Sequence, residues 1–216
     1  MASYRPDMPM TMNQVIHAAV RRDLTRLDGA LDAFPSGDAE RANQLARAYR
    51  FVRHQLTDHH QSEDDLIWPV IAELGVDRAL LDAMESEHHE MSEALTETSA
   101  AMTALVARPE SDVAAEALTS VRRTRAVVDR HFDHEEDELE PALAAYLETP
   151  EWRGVEKQLR RRPMSEIGPF LAWLQDGQEP AVRTHLRSTI PPPVLAAIPA
   201  LFGRSYTRRI APVWQG

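Results

Sequence analysis

The chain uses one short pattern of metal-ligating residues twice. His59 is followed four positions later by Glu63, and seventy-two residues further on His131 is followed four positions later by Glu135. Imidazole nitrogens and carboxylate oxygens are side-chain groups that hold iron, zinc, manganese or copper in proteins. Residues four apart lie on one face of a helix, so each pair can direct both side chains at neighbouring points. The two pairs therefore predict metal chemistry.

Two further histidines extend the repeat. His17 lies 42 residues before His59, and His88 lies 43 residues before His131. A duplicated helical hairpin is the simplest source of this spacing. If each half forms two antiparallel helices, every helix brings one histidine to the interior and two of them add a glutamate. Four imidazoles and two carboxylates suit two metal ions roughly 3.5–4 Å apart, with the carboxylates bridging both ions.

The position of the two pairs separates a metal site from an ordinary surface pair. A lone His-x3-Glu pair is weak evidence, because such pairs are common on solvated helix faces. Here both pairs fall on the apolar stripe of their helices, where an uncompensated buried carboxylate costs several kcal/mol. A bound cation would offset that cost, so the apolar setting favours the metal site.

The ligand types narrow the metal without choosing it. The chain has no cysteine, which excludes thiolate zinc sites and cysteine-ligated iron–sulfur clusters. Imidazole with carboxylate leaves iron, zinc, manganese and copper open. We predict iron, with manganese as the second choice. An oxygen-bridged iron pair with one open coordination position accounts for six protein ligands in a bundle core, whereas a zinc pair would have little need of them.

The other histidines and two nearby carboxylates are predicted to lie outside the site. His60 lies four residues before Asp64, and His89 lies four residues after Glu85, so both are expected to form surface pairs. His134 lies one turn from a predicted ligand and is a candidate supporting residue. Glu136 and Asp64 stand one residue beyond the predicted glutamate ligands. One residue turns a side chain about 100° round a helix, so both are expected to face solvent.

Helix signals dominate from about residue 12 to residue 147, and no segment alternates with the period of a strand, so the predicted fold class is all-α. The predicted helices run from Asn13 to Phe34, from a cap at Ser36 or Asp38 to Gly75, from a cap at Asp77 to Arg108, and onward from Ser111 or Asp112. Short loops imply antiparallel neighbours. We therefore expect an up-down four-helix bundle with an internal pseudo-twofold repeat in residues 1–149. Pro69 and Pro141, six residues after the two glutamates, predict kinks.

The composition changes at Pro150. Residues 150–216 hold nine prolines and three tryptophans. One short helix is predicted there, from Glu166 to Gln175 with Ser165 as its cap. The apolar content argues against disorder. This Pro-rich, short helical extension is expected to pack on the bundle, to act as a lid, or to form a homodimer contact.

Charge and hydropathy exclude several classes of partner. Residues 1–149 hold 14 basic and 29 acidic residues, a net charge of −15, whereas residues 150–216 hold 10 and 5, a net charge of +5. An acidic bundle repels nucleic acid and anionic lipid, so neither is a predicted partner. No apolar run is long enough to span a membrane. The first ten residues lack the apolar stretch of a signal peptide, and a cytoplasmic location is the expectation.

The order His, His-x3-Glu, His, His-x3-Glu resembles that of the hemerythrin-like proteins, also called the HHE cation-binding domain. The resemblance covers about residues 12–147 and implies a four-helix bundle around two Fe ions joined by an oxo or hydroxo bridge. The ferritin-like di-iron proteins, which use Glu-x-x-His, are the weaker analogy. Carried over residue by residue, the resemblance implies the metal ligands His17, His59, Glu63, His88, His131 and Glu135, with the two glutamates bridging.

The sequence departs from the oxygen-carrying hemerythrins in two places. Their third helix carries two histidines four residues apart, whereas His88 is followed at that spacing by Ser92, and Glu136 stands where their last carboxylate is an aspartate. The pattern resembles the six-ligand microbial branch and implies one iron open to water, peroxide or nitric oxide.

The resemblance implies a protein that binds or turns over O2, NO or H2O2 in oxidative or nitrosative stress, with no catalytic residues beyond the metal centre. A peroxide- or NO-decomposing enzyme is one form of this prediction. An oxygen or iron sensor, or an iron-buffering protein without turnover, is the alternative. Oxygen evolution from added peroxide separates turnover from a single reaction.

Overall fold

The structure is a computed structural model that describes residues 10–215. Residues 1–9 of the predicted bundle domain and residue 216 of the predicted extension lie outside the described range. Residues 10–215 contain helices and no strand, which confirms the all-α prediction. None of the helices in this range is long and apolar enough to cross a membrane.

Eleven α-helices follow one another in the described part of the chain. They are α1 (Met12–Asp32), α2 (Ala39–Ser62), α3 (Trp68–Glu73), α4 (Arg78–Ala107), α5 (Ser111–His134), α6 (Glu140–Leu143), α7 (Pro150–Leu159), α8 (Met164–Gln175), α9 (Pro180–Thr189), α10 (Pro192–Phe202) and α11 (Arg204–Arg209). Five-residue π-helical turns over Glu63–Ile67 and Glu135–Leu139 join α2 to α3 and α5 to α6, and a 3-10 turn spans Ala211–Gln215.

Two predicted caps begin the helices that carry candidate ligands. Asp38 accepts a hydrogen bond from a backbone N–H in the first turn of α2, and Asp77 does the same for α4. Ser36, the other candidate cap for α2, instead accepts from the backbone N–H of Ser111 and so joins two loops. The starts of α2 and α4 are therefore set by local sequence, whereas α5 begins after Glu110 without the predicted side-chain cap from Ser111 or Asp112.

The four long helices α1, α2, α4 and α5 surround one core. Helix α1 packs against α2 and α5, and α4 packs against the same two helices. Their inner faces carry fully buried apolar side chains, among them Leu24, Leu27, Leu45, Leu56, Met91 and Val128. This packing fixes the relative rotation of the helices that bear the predicted ligands.

A π-helical turn begins at each predicted bridging glutamate. In both turns a backbone hydrogen bond reaches five residues back to the glutamate carbonyl, at Glu63 and at Glu135. Pro69 and Pro141 follow within one turn, and proline has no N–H to donate and crowds the carbonyl four residues earlier. A widened turn relieves that crowding, which explains why the sequence-predicted kinks are π turns in the structure. Such turns occur often at functional sites.

The extension is more helical than its sequence predicts. It contains α7 to α11 instead of one short helix, and α8 begins at Met164 without a side-chain cap from Ser165. Pro150, Pro180 and Pro192 occupy the first turns of α7, α9 and α10. The first helical positions need no backbone donor, so proline starts a helix there at no cost.

The extension packs on α1 of the bundle. Trp173 on α8 is fully buried, and its Nε1–H donates to Oδ2 of Asp23 at 2.8 Å. Asp23 is itself fully buried and also lies 2.7 Å from Arg22 and 3.2 Å from Arg26. Apolar residues of the extension share one continuous core cluster with the four long helices. The domain boundary near residue 149 stays a prediction.

Candidate metal centre

The structure brings all six predicted ligand residues together inside the bundle. His17 comes from α1, His88 from α4, and the two His-x3-Glu pairs from the points where α2 and α5 pass into their π turns. The six side chains are at most 9% exposed, with His17 and His131 fully buried. The predicted convergence of imidazoles and carboxylates is therefore present in the fold.

Two adjoining clusters of potential ligand atoms lie there. In the first cluster, one such atom from each residue lies within 4.8 Å of the others, and the members are His60, Glu63, His88 and His131. The second cluster meets the same criterion with His17, His59 and Glu135. The six predicted residues are divided between the clusters, and His60 is an addition.

The two glutamates face histidines of both clusters. Oε1 of Glu63 lies 3.2 Å from Nε2 of His59, and its Oε2 lies 3.5 Å from Nε2 of His88. Oε2 of Glu135 lies 3.2 Å from Nε2 of His17 and 4.0 Å from Nε2 of His131. Each carboxylate can therefore contribute to two neighbouring ions.

Several ligand atoms of the centre lack hydrogen-bond partners. Within residues 10–215, no hydrogen bond reaches the buried Nε2 atoms of His88 and His131 or the buried Oε2 of Glu63. Leaving such a group unpaired costs about 1–3 kcal/mol. A cation bound by these nitrogen and oxygen atoms would remove that cost, so the residues fit a metal site.

Three of the histidines are held from outside by carboxylates. The pairs are His17 Nδ1 with Glu136 at 2.8 Å, His88 Nδ1 with Asp64 at 2.8 Å, and His131 Nδ1 with Glu87 at 2.9 Å. A carboxylate fixes the proton on Nδ1 and leaves the lone pair of Nε2 directed at the centre. These outer carboxylates, Glu136, Asp64 and Glu87, therefore select the tautomer that can bind a metal.

Glu136 and Asp64 do not simply face solvent, so that expectation is wrong. They are turned away from the centre, as their spacing predicts, but each reaches a histidine on a neighbouring helix. Glu136 is only 13% exposed and also accepts a hydrogen bond from Arg21 at 2.7 Å. The spacing of residues along one helix gives the direction in which a side chain points. It does not show which neighbouring helix that side chain will contact.

The prediction of a surface position for His60 is also wrong. His60 is 7% exposed, and its ring stacks on His88 with centroids 4.3 Å apart. Its expected partner Asp64 binds His88 instead. The signal that could have found His60 is its spacing of three from Glu63, which also places two residues on one helix face.

The two other histidines with assigned places lie where the sequence predicts, although His89 does not pair with its predicted partner Glu85. His89 is 80% exposed and pairs with Glu93 on the surface. His134 lies beside the centre, where Nδ1 contacts Glu87 at 2.8 Å, and Glu87 also holds His131. His134 therefore belongs to the support of the site.

The buried histidines and glutamates of the clusters differ in the direction of their pKa shifts. Burial disfavours protonated His17, but its contacts with Glu135 and Glu136 raise its pKa. Burial, then the charge on neighbouring His17, lowers the pKa of His59 to about 3, and burial lowers that of His60 well below its usual value. Burial and nearby Glu135 raise the pKa of Glu63 well above the ordinary range. Burial also disfavours ionised Glu135, but its contact with His17 lowers its pKa. Two carboxylates this close need a cation to be ionised together.

Comparison with known proteins agrees with this geometry. The family model described as the hemerythrin HHE cation binding domain matches residues 14–144. That range includes all six predicted ligands and ends before the extension. No curated protein and no solved structure matches the chain.

Proposed function

The chain belongs to the hemerythrin HHE cation-binding domain family, and from that premise we propose that it is a non-haem di-iron protein that binds or reacts with O2, NO or H2O2. The family binds cations, and the buried histidine and glutamate clusters fit a metal site. The observation that carries the proposal is the contact of Glu63 and Glu135 with both clusters.

The proposed ligands follow the two clusters. One ion takes Glu63, His88 and His131, and the other takes His17, His59 and Glu135, with each glutamate bridging. Support comes from Glu63, whose two oxygens lie 3.2 and 3.5 Å from histidines of opposite clusters. A bridging carboxylate needs one oxygen toward each ion, which is the arrangement that these distances favour.

Iron is the proposed metal because it suits both the ligand set and the expected chemistry. Imidazole with carboxylate fits iron, and an iron pair supplies two electrons at one site for binding or reducing a small oxidant. The protein contributes the surroundings: outer carboxylates orient three imidazoles, and Phe132 stacks on His17 with ring centroids 3.6 Å apart. Apolar packing of this kind limits water near the centre.

The surface next to the centre favours a small ligand. An open groove of about 620 Å³ borders His88 and is lined by Asp64, Asp82 and Glu85, among others. This acidic surface suits the approach of small neutral molecules better than that of anions. We therefore propose uncharged O2, NO and H2O2 as the ligands, in a stress response.

Two other functions stay open as proposals. A sensor of oxygen or iron would use the same centre without turnover, and an iron-buffering protein would only store the metal.

A cytoplasmic location and a homodimer formed through the extension are further proposals. The dimer draws support from α10, where Val194, Leu201 and Phe202 are 39%, 66% and 44% exposed.

Reaction with peroxide tests the proposed function. Hydrogen peroxide added without air to the iron-loaded protein is expected to disappear over many equivalents, with oxygen evolved, if the centre turns over. A sensor is expected to react once and stop. The matched control is His185→Ala, which changes an imidazole of α9 that belongs to neither cluster and should keep the wild-type rate. Loaded protein that reacts with none of the three oxidants would contradict the proposal.

A further inference from the structure

One imidazole of the centre has no place in the six-ligand assignment. His60 lies between His59 and Glu63 on the last turn of α2 and is 7% exposed. It belongs to the first cluster, in which one potential ligand atom from each residue lies within 4.8 Å of the others. A buried histidine in this position needs either a polar partner or a metal.

Hydrogen bonding does not account for His60. Its Nε2 is buried and has no hydrogen-bond partner anywhere in the described part of the chain. The Nε2 atoms of His88 and His131 and Oε2 of Glu63 share that condition. All four residues of the first cluster thus hold an unpaired buried atom, and one cation would satisfy the four together.

Packing alone also gives an incomplete explanation. The ring of His60 stacks on His88 at an interplanar angle of 18°, which an apolar aromatic ring could do equally well. An apolar ring would not leave a buried nitrogen unpaired at a cost of about 1–3 kcal/mol. A histidine at position 60 is therefore best explained if its buried Nε2 binds a ligand.

Helix α4 contributes fewer histidines to the two clusters than α2 does. Helix α4 contributes His88 to the first cluster, but one turn later it carries Ser92, which is exposed. Helix α2 contributes two consecutive histidines, one to each cluster, because His59 and His60 are turned about 100° apart. One helix can in this way serve two adjacent ions.

We propose that His60 is a seventh protein ligand, bound to the ion held by Glu63, His88 and His131. This inference rests on the proposed two-metal function. It gives that ion three imidazoles, whereas the other ion has those of His17 and His59. The two ions then differ in coordination.

The test compares two substitutions at this residue by iron content and Mössbauer spectroscopy of 57Fe-loaded protein. After dialysis against a competing chelator, His60→Ala is expected to hold one iron per chain where the wild type holds two. Added imidazole should restore the second iron, because the shortened side chain leaves room for it. His60→Phe should also hold one iron, with no rescue, because its ring fills that space. His89→Ala, the exposed control, should keep two.

The inference is overturned if His60→Phe keeps two irons with both Mössbauer doublets of the wild type. It is likewise overturned if imidazole does not restore iron to a folded His60→Ala. If the wild-type protein takes up no iron, the di-iron function fails and His60 is tested with cobalt(II). Loss of one cobalt per chain in both variants would still identify a ligand, and unchanged cobalt content and visible spectra would reject it.

Discussion

Replacing Glu63 or Glu135 with alanine is expected to remove at least one iron per chain and to abolish most of the reaction with small oxidants. Each carboxylate faces histidines of both clusters, so either substitution takes an anionic ligand from two ions at once. Loss of an outer partner typically weakens metal binding by about 10–100-fold, and loss of a bridging ligand should exceed that range. Iron content after dialysis against a chelator measures the effect.

The π turn after α5 offers a matched control. Glu138 lies in the same turn as Glu135, but its side chain is 65% exposed, so Glu138→Ala should keep wild-type iron. Glu136→Gln should fall between the two, because Glu136 supports His17 from outside. Equal iron occupancy in the Glu63, Glu135 and Glu138 variants would show that the proposed bridging residues are wrong.

Replacing Trp173 with alanine is expected to lower the free energy of unfolding by about 3–5 kcal/mol, the usual cost of removing a large buried aromatic side chain. Trp173 is fully buried, and the substitution also takes a hydrogen-bond donor from fully buried Asp23. Iron content of the folded variant should stay at the wild-type level, because Trp173 belongs to neither cluster. Chemical denaturation of the metal-loaded protein measures the loss.

Leu201→Ala is the control within the extension, since Leu201 is 66% exposed and its replacement should change stability little.

Removing residues 150–216 deletes the whole extension, including the contact that Trp173 makes with the bundle. The shortened chain should stay helical and bind iron, because every proposed ligand precedes the extension, but it should aggregate through its newly exposed apolar surface. Joint loss of helicity and iron would place the extension within the core and contradict the domain boundary. An unchanged free energy of unfolding in Trp173→Ala would contradict the stabilising role given to the contact between Trp173 and Asp23.

Local sequence predicted what depends on one helix at a time. Asp38 and Asp77 cap the helices that they were expected to cap, because capping involves only the next few residues. The His-x3-Glu pairs point inward because a spacing of four on an apolar stripe fixes their direction. The six predicted ligands therefore meet in the fold.

Contacts between helices could not be predicted in the same way. His60 was paired with Asp64 by spacing, but Asp64 is bound to His88 on another helix. The role of Glu87 depends on α4 and α5 lying side by side, and nothing within either helix indicates it. The extension was expected to contain one short helix, but Pro150, Pro180 and Pro192 lie in the first turns of three further helices.

The central claim is a two-iron centre, and metal content with an optical spectrum tests it most directly. The protein as isolated is expected to hold two irons per chain and to show the near-ultraviolet absorption of an oxygen-bridged iron pair. The clusters at Glu63 and Glu135 provide ligands for two adjacent ions. One zinc per chain, with no such absorption after reconstitution with iron, would contradict the proposed function.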